Sequence, residues 1–145
     1  MELLDLLRGN DLFDGINDKE LEEVAAICQP RHLKVGDVLT VEGEPSDELF
    51  IIHQGVVEVL VSGSEEPIIN LSKGQIIGEM SLVDRGTRSA TVRAVHEPTI
   101  VYTLRYEDFH QLCNSNTRIG YIVLLNIATD LSFKLRHHNI SERRV

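Results

Sequence analysis

The sequence predicts an α+β domain: an antiparallel β-roll or jelly roll, flanked by N-terminal helices and a long C-terminal helix. Three observations carry that expectation. Apolar residues recur at three- and four-residue steps up to about Cys28, fall into short β-type runs from about His32 to Leu104, and return to the helical period from Tyr106. Glycines 36, 43, 55, 63, 74, 78 and 86 punctuate the middle segment, as the tight corners of a rolled sheet require. A length of 145 residues suits one core, with roughly 68–70% of the unfolded surface removed from water on folding. No linker, low-complexity segment or internal repeat interrupts the chain. Residues 1–145 are therefore read as one domain, with N-terminal helices in 1–30, the β-roll in 31–105 and C-terminal helices in 106–145.

In the first part, "ELLDLLRGNDLFDGINDKELEEVAAICQP", Asp18 stands where a helix through Ala26 needs a cap, and Pro30 closes the region. The runs "DVLTV", "ELFIIHQGVVEVLV", "PIINLS", "SATVRAV" and "TIVYTL" supply the strands. Between the third and fourth of these runs, "QIIG" ends a strand, "GEMSL" has the composition of one helical turn opened by a glycine, "VDRGT" is a loop, and "RSATV" begins the next strand. A short helix over Glu107 to Cys113 and a long one from Thr117 to about His138 complete the chain.

Charge and composition exclude several functions. A net charge of −9 and a pI near 5.1 argue against a general nucleic-acid surface or an anionic membrane surface, both of which require a basic face. The N-terminus carries Glu2 and Asp5 where a signal peptide would be basic, and no segment reaches membrane-spanning length. Cys28 and Cys113 stand alone, as reduced core thiols of a cytoplasmic protein would. The six histidines are scattered, with no H-x-H and no H-E-x-x-H; His137 and His138 are adjacent and diverge on a helix. No serine or cysteine occupies a recognisable nucleophile turn. The sequence thus predicts no enzyme, no metal and no cofactor.

The chemistry concentrates between Ile76 and Val92. A helical turn opening inside a β-roll exposes its first backbone N–H groups to an anion. Arg88 presents the rigid fork of donors that suits bidentate contact with a phosphate. Glu79, a pure acceptor at neutral pH, suits the hydroxyls of a sugar. A phosphate grip beside a hydroxyl grip describes a nucleotide site. Arg85, mid-loop beside Asp84 and Gly86, and Arg93 are expected to be surface charges.

"GEMSLVDRGTRSATV" resembles the phosphate-binding cassette of the cyclic-nucleotide-binding domain family, and Gly78, Glu79, Met80, Ser81, Leu82, Arg88, Ser89 and Ala90 match its pattern within residues 78–91. "LFDGINDKELEEVA" is similar to the family's N-terminal helices, and "VGDVLTVEGEPSDELFIIHQGVVEVLV" to its first strands. The resemblance implies that Glu79 binds the ribose 2′-hydroxyl, Arg88 the exocyclic phosphate oxygens and Ser89 the phosphate, with backbone N–H groups from Gly78 to Leu82 completing the site. It places base contacts near Lys134, Leu135 and Arg136, where the hydroxyl pair of some relatives is missing; Thr129 and Ser132 offer hydroxyls a turn earlier. The implied ligand is cAMP, with cGMP as the other choice. The implied role is a sensor that rearranges around the cassette and the C-terminal helix to signal to an effector protein. An alternative is a ligand-free interaction scaffold of the same fold, against which Glu79, Arg88 and Ser89 argue by their presence. Relatives that regulate transcription continue into a helix-turn-helix; "RHHNISERRV" at the end of this sequence is too short for one. On the last helix Tyr121, Leu124, Ala128, Leu131 and Leu135 form a seam, while Ile119, Ile122, Val123 and Ile127 extend the apolar surface around the cylinder, so a homodimer through this helix is expected.

Overall fold

A computed structural model describes residues 2–63 and 69–142, with side chains as far as His137. Helix α1 (Glu2–Arg8), a 3-10 turn (Asp11–Phe13) and α2 (Asp18–Ala26) open the chain. The cap of α2 is Asn17, one residue before the Asp18 expected from the sequence. The Asn17 side chain accepts from the Glu20 N–H at 2.8 Å, and Glu20 Oε1 accepts from the Asn17 N–H at 3.1 Å, a reciprocal capping box. Asp18 is instead the first helical residue, where its carboxylate complements the helix dipole and meets Arg8 Nε at 3.2 Å.

Strand β1 (Gln29–Leu33) begins inside the span expected to be helical, so the N-terminal helices end before residue 30 and Pro30 lies within a strand. β1 is an edge strand paired only with β8, and an edge tolerates a residue that has no N–H to donate. The remaining strands are β2 (Val38–Thr40), β3 (Glu48–Gln54), β4 (Val57–Leu60), β5 (Ile69–Leu71), β6 (Ile76–Ile77), β7 (Thr91–Ala94) and β8 (Thr99–Arg105). They form two four-stranded antiparallel sheets, in the orders β1-β8-β3-β6 and β2-β7-β4-β5.

Alternation along β3 divides the interior in two. Phe50 and Ile52 face the space between the sheets with Leu33, Val57, Val92 and Val101. Leu49 and Ile51 face the helices, where Leu7, Phe13, Val24, Phe109, Ile119, Val123 and Ile127 join them. Helix α3 (Tyr106–Ser115) and helix α4 (Thr117–Glu142) close this second layer. Ile119, Val123 and Ile127 bury one stripe of α4, whereas every residue from Ala128 to His137 is exposed. No described helix is long and apolar enough to cross a membrane.

Candidate functional site

The segment between β6 and β7 carries the site. Gly78 adopts the left-handed conformation, with φ 79° and ψ 36°. A Cβ there would lie 2.4 Å from Arg88 Nη1, so the residue must be glycine both for its backbone and for its neighbour. A 3-10 turn follows over Glu79–Leu82, closed by the Ser81 N–H to the Gly78 carbonyl at 2.9 Å. The N–H groups of Glu79 and Met80 have no backbone acceptor among the described residues, as expected at the start of a helical turn. Leu82 is fully buried in the helical layer, and its carbonyl lies 2.7 Å from His110 Nε2 of α3.

Arg88, Ser89 and Ala90 precede β7, which opens only at Thr91; the strand expected to start at Arg88 is therefore shorter. The backbone around Arg88 is occupied by the β2–β3 loop instead. Arg88 N–H donates to the Glu44 carbonyl at 2.8 Å, and Gly43 N–H to the Arg88 carbonyl at 2.9 Å. The Arg88 guanidinium is half-buried, donating through Nη2 to the Glu48 carbonyl at 2.7 Å and through Nη1 to Ser81 Oγ at 3.4 Å. It sits 5.5 Å from the centre of the Phe50 ring. Burial lowers its pKa, an effect the Glu48 and Asp47 carboxylates oppose; an arginine remains charged throughout the physiological range. Of the five guanidinium N–H donors, two are thus committed to protein acceptors.

A cavity of about 360 Å³ opens over these residues. Gly78, Glu79, Met80, Ser81, Arg88, Ser89 and Ala90 line one side of it together with Thr40, Ser46 and Thr87, and Val59, Ile69, Leu71, Ile76, Ile77 and Val92 form its apolar side. Seven of the eight cassette residues singled out by the sequence therefore meet in one space; Leu82 faces away from it into the core. The Glu79 carboxylate makes no hydrogen bond among the described residues. A second cleft, of about 230 Å³, shares Ile76 and Glu79 with the first and is bounded by Asn10, Asn126, Ile127 and Asp130.

Lys134, Leu135 and Arg136 are exposed and lie outside the lining of the cassette cavity. Lys134 pairs with Asp130 at 3.0 Å, and this bond, with the added charge of Glu79, holds its pKa above the ordinary value. Thr129 and Ser132 are likewise exposed. Arg85 is exposed as expected, but its guanidinium stacks 4.6 Å from the Tyr106 ring centre, and Tyr106 in turn stacks 4.1 Å from His110. Arg93 is exposed and pairs with Glu58. Both cysteines are free thiols; burial pushes Cys28 up to about 12 and raises Cys113 as well. No cluster of three or more metal-ligating side chains occurs among the described residues.

Sequence reasoning missed Ser46, the Glu48 carbonyl and His110. Ser46, in "GEPSD", reads as an ordinary turn residue, and a main-chain carbonyl has no residue signature at all. His110 carries one signal, a polar residue one position after the buried Phe109, but its target is a backbone atom 28 residues away.

Comparison with known proteins agrees with this geometry. Residues 30–116 match the family model described as the cyclic nucleotide-binding domain. Over 90 residues, 62% of this chain, the sequence is 38% identical to a cGMP-dependent protein kinase of Toxoplasma gondii, though it spans only 9% of that protein's length. The fold is similar to the N-terminal domain of a transcriptional regulator from Streptomyces coelicolor A3(2), with a TM-score of 0.84 and 29% identity over 92% of this chain and 94% of that one. It is also similar to the regulatory domain of Toxoplasma gondii PKA crystallised with cAMP, with a TM-score of 0.69 and 26% identity over 76% of this chain and 42% of that one. With a family model covering more than half its length and a cassette gathered around one cavity, the chain belongs to the cyclic nucleotide-binding domain family.

Proposed function

We propose that the chain is a cyclic-nucleotide sensor, that its ligand is cAMP, and that the cassette cavity is the binding site. One observation carries the reading: a half-buried guanidinium is fixed against the wall of a cavity by two protein acceptors, leaving three N–H donors for a ligand. In this reading Arg88, the Ser89 hydroxyl and the N–H groups opening the Gly78–Leu82 turn take the phosphate oxygens. The Glu79 carboxylate takes the ribose 2′-hydroxyl. The apolar side of the cavity receives the base, and Lys134, Leu135 and Arg136 reach it only if α4 moves. The choice of cAMP rests on family likeness, including the relative crystallised with it; the kinase relative named for cGMP makes cGMP the competing ligand.

The proposed signal passes through Leu82. Its side chain is buried among the helices while its turn faces the cavity, so a shift of the turn on binding changes the packing under α3 and α4. Output is assigned to α4, through a second copy of the chain or an effector protein. We read the chain as a non-catalytic binding module, in keeping with its membership of a cyclic nucleotide-binding family, and as cytoplasmic, in keeping with two unpaired cysteines. The alternative, a scaffold of the same fold without ligand, is disfavoured by the intact grip around Arg88.

Thermal denaturation tests the assignment. Ligand that binds only the folded state adds about 2.7 kcal/mol at one hundred times its dissociation constant. At ~2.1 cal/mol/K per residue, a chain of 145 residues turns this into a melting shift of roughly 9 °C. The expected result is that shift with cAMP and a much smaller one with AMP. Equal shifts from the two, or none from any cyclic nucleotide, would sink the proposal.

A further inference from the structure

We infer that Ser46 is a positioning residue for the cyclic phosphate, its hydroxyl acting through that of Ser81 to set where the Arg88 guanidinium stands; this rests on reading the cavity as a cyclic-nucleotide site. Ser46 lies in the β2–β3 loop, outside the cassette but in the wall of the same cavity, and is 7% exposed; Ser81 is 1% exposed. Their Oγ atoms are 2.5 Å apart. Ser81 Oγ also lies 3.0 Å from the Glu48 carbonyl and 3.4 Å from Arg88 Nη1.

With all three Ser81 contacts made as hydrogen bonds, the proton inventory leaves one arrangement. A serine hydroxyl has one proton and two lone pairs. The Glu48 carbonyl can only accept, so it takes the Ser81 proton. The guanidinium can only donate, so it occupies one Ser81 lone pair. The other lone pair is left for Ser46, which donates its own proton. Ser81 is then saturated, and its orientation is dictated from three sides: by a strand carbonyl, by the guanidinium and by Ser46. Both serines are buried in the wall of the cavity. The same Glu48 carbonyl takes the second guanidinium bond, from Nη2 at 2.7 Å, so Ser81 and Glu48 together fix the plane of the fork.

Removing the Ser46 hydroxyl leaves the loop itself tied down. Ser46 N–H donates to the Gly86 carbonyl at 2.7 Å, and the two backbone bonds between Gly43, Glu44 and Arg88 do not involve the side chain. What Ser46→Ala removes is the constraint on Ser81. Without it, Ser81 Oγ is oriented only by the Glu48 carbonyl and by Arg88 itself, so one of the guanidinium's two anchors is less firmly placed. The effect on binding should therefore depend on the presence of a planar fork.

Calorimetric titration with cAMP of the parent, Ser46→Ala, Arg88→Lys and the double variant tests this. Ser46→Ala should weaken binding about 3- to 10-fold in the parent, the scale of one buried hydrogen bond. It should change affinity less than about 2-fold in the Arg88→Lys background, where no fork remains to be oriented. Ser81→Ala should weaken binding at least as much and make Ser46→Ala silent when added to it; if Ser46→Ala does not fold, Ser81→Ala in the two Arg88 backgrounds carries the same comparison. A parent that binds while Ser46→Ala changes nothing, or weakens binding equally in both backgrounds, overturns the inference alone. A parent that binds no cyclic nucleotide overturns the underlying reading and the inference with it.

Discussion

Gly78 and Arg88 occupy space that only a glycine can share. The left-handed backbone at position 78 would cost another residue about 1–2 kcal/mol, and a Cβ would stand 2.4 Å from Arg88 Nη1. The guanidinium is the end of a flexible side chain, so Gly78→Ala should leave the fold intact, lower its stability by that amount, and displace the fork. The expected outcome is a loss of cAMP affinity greater than about tenfold, measured by titration of a variant whose circular dichroism matches the parent. Retained affinity would show that the fork is not placed by Gly78. At this scale the proposed site is legible wherever a residue type is itself the chemistry, a carboxylate at Glu79 and a planar cation at Arg88, and the positive φ is legible at Gly78. It is illegible where the partner is main chain or a common hydroxyl, as at Glu48 and Ser46, because the roles proposed for them lie in position rather than in type.

Two helices carry the predictions at the scale of elements. Glu20 is buried, which by itself would raise its pKa, but the Asn17 backbone N–H and the Arg118 guanidinium outweigh burial and the pKa ends below the ordinary value. A carboxyl depressed in the folded state contributes stability that is fully present above its unfolded value, about 4.3, and is lost as pH falls through the folded one. Glu20→Gln should therefore destabilise the chain at pH 7, and the gap should close on acidification below about pH 4; a gap independent of pH would contradict the assignment. Helix α4 makes the second prediction. Its buried stripe ends at Ile127, and Leu131, Phe133 and Leu135 beyond it are 37%, 57% and 56% exposed. Leu131 and Leu135, four residues apart, share one face of this exposed helix, while Phe133 projects from the other side, and we propose the Leu131–Leu135 face as a contact surface. We expect a homodimer in light scattering of the parent, a monomer for Leu135→Glu, and a change in hydrogen exchange from Leu131 onward when cAMP binds. A parent that stays monomeric at high concentration removes the dimer, and exchange indifferent to ligand removes the switch. The helical period revealed both helices, but the cap shifted from Asp18 to Asn17 because either residue can cap and only the Glu20 partner decides. β1 has no signature of its own in the sequence, because Pro30 reads as a terminator and is tolerated only by virtue of the edge position, a tertiary fact.

At the scale of the whole molecule, β3 is shared by two cores, one between the sheets and one under the helices. Leu82 extends the second core to the back of the cassette, so packed side chains connect the cavity wall with α4. The overall architecture was readable from two changes of hydrophobic period and the spacing of glycines. The cavity was readable as a cassette motif, but its apolar side was not, since Val59, Ile69 and Leu71 are indistinguishable in sequence from any other strand residues. The central claim, that this cavity holds a cyclic nucleotide by the Arg88 fork, is tested most directly by calorimetric titration of the parent and Arg88→Ala with cAMP and cGMP. The account predicts saturable binding of one nucleotide per chain to the parent, with cAMP the tighter, and a loss of about 2–5 kcal/mol on removing one partner of a buried charged contact. Parental affinity in Arg88→Ala would contradict it.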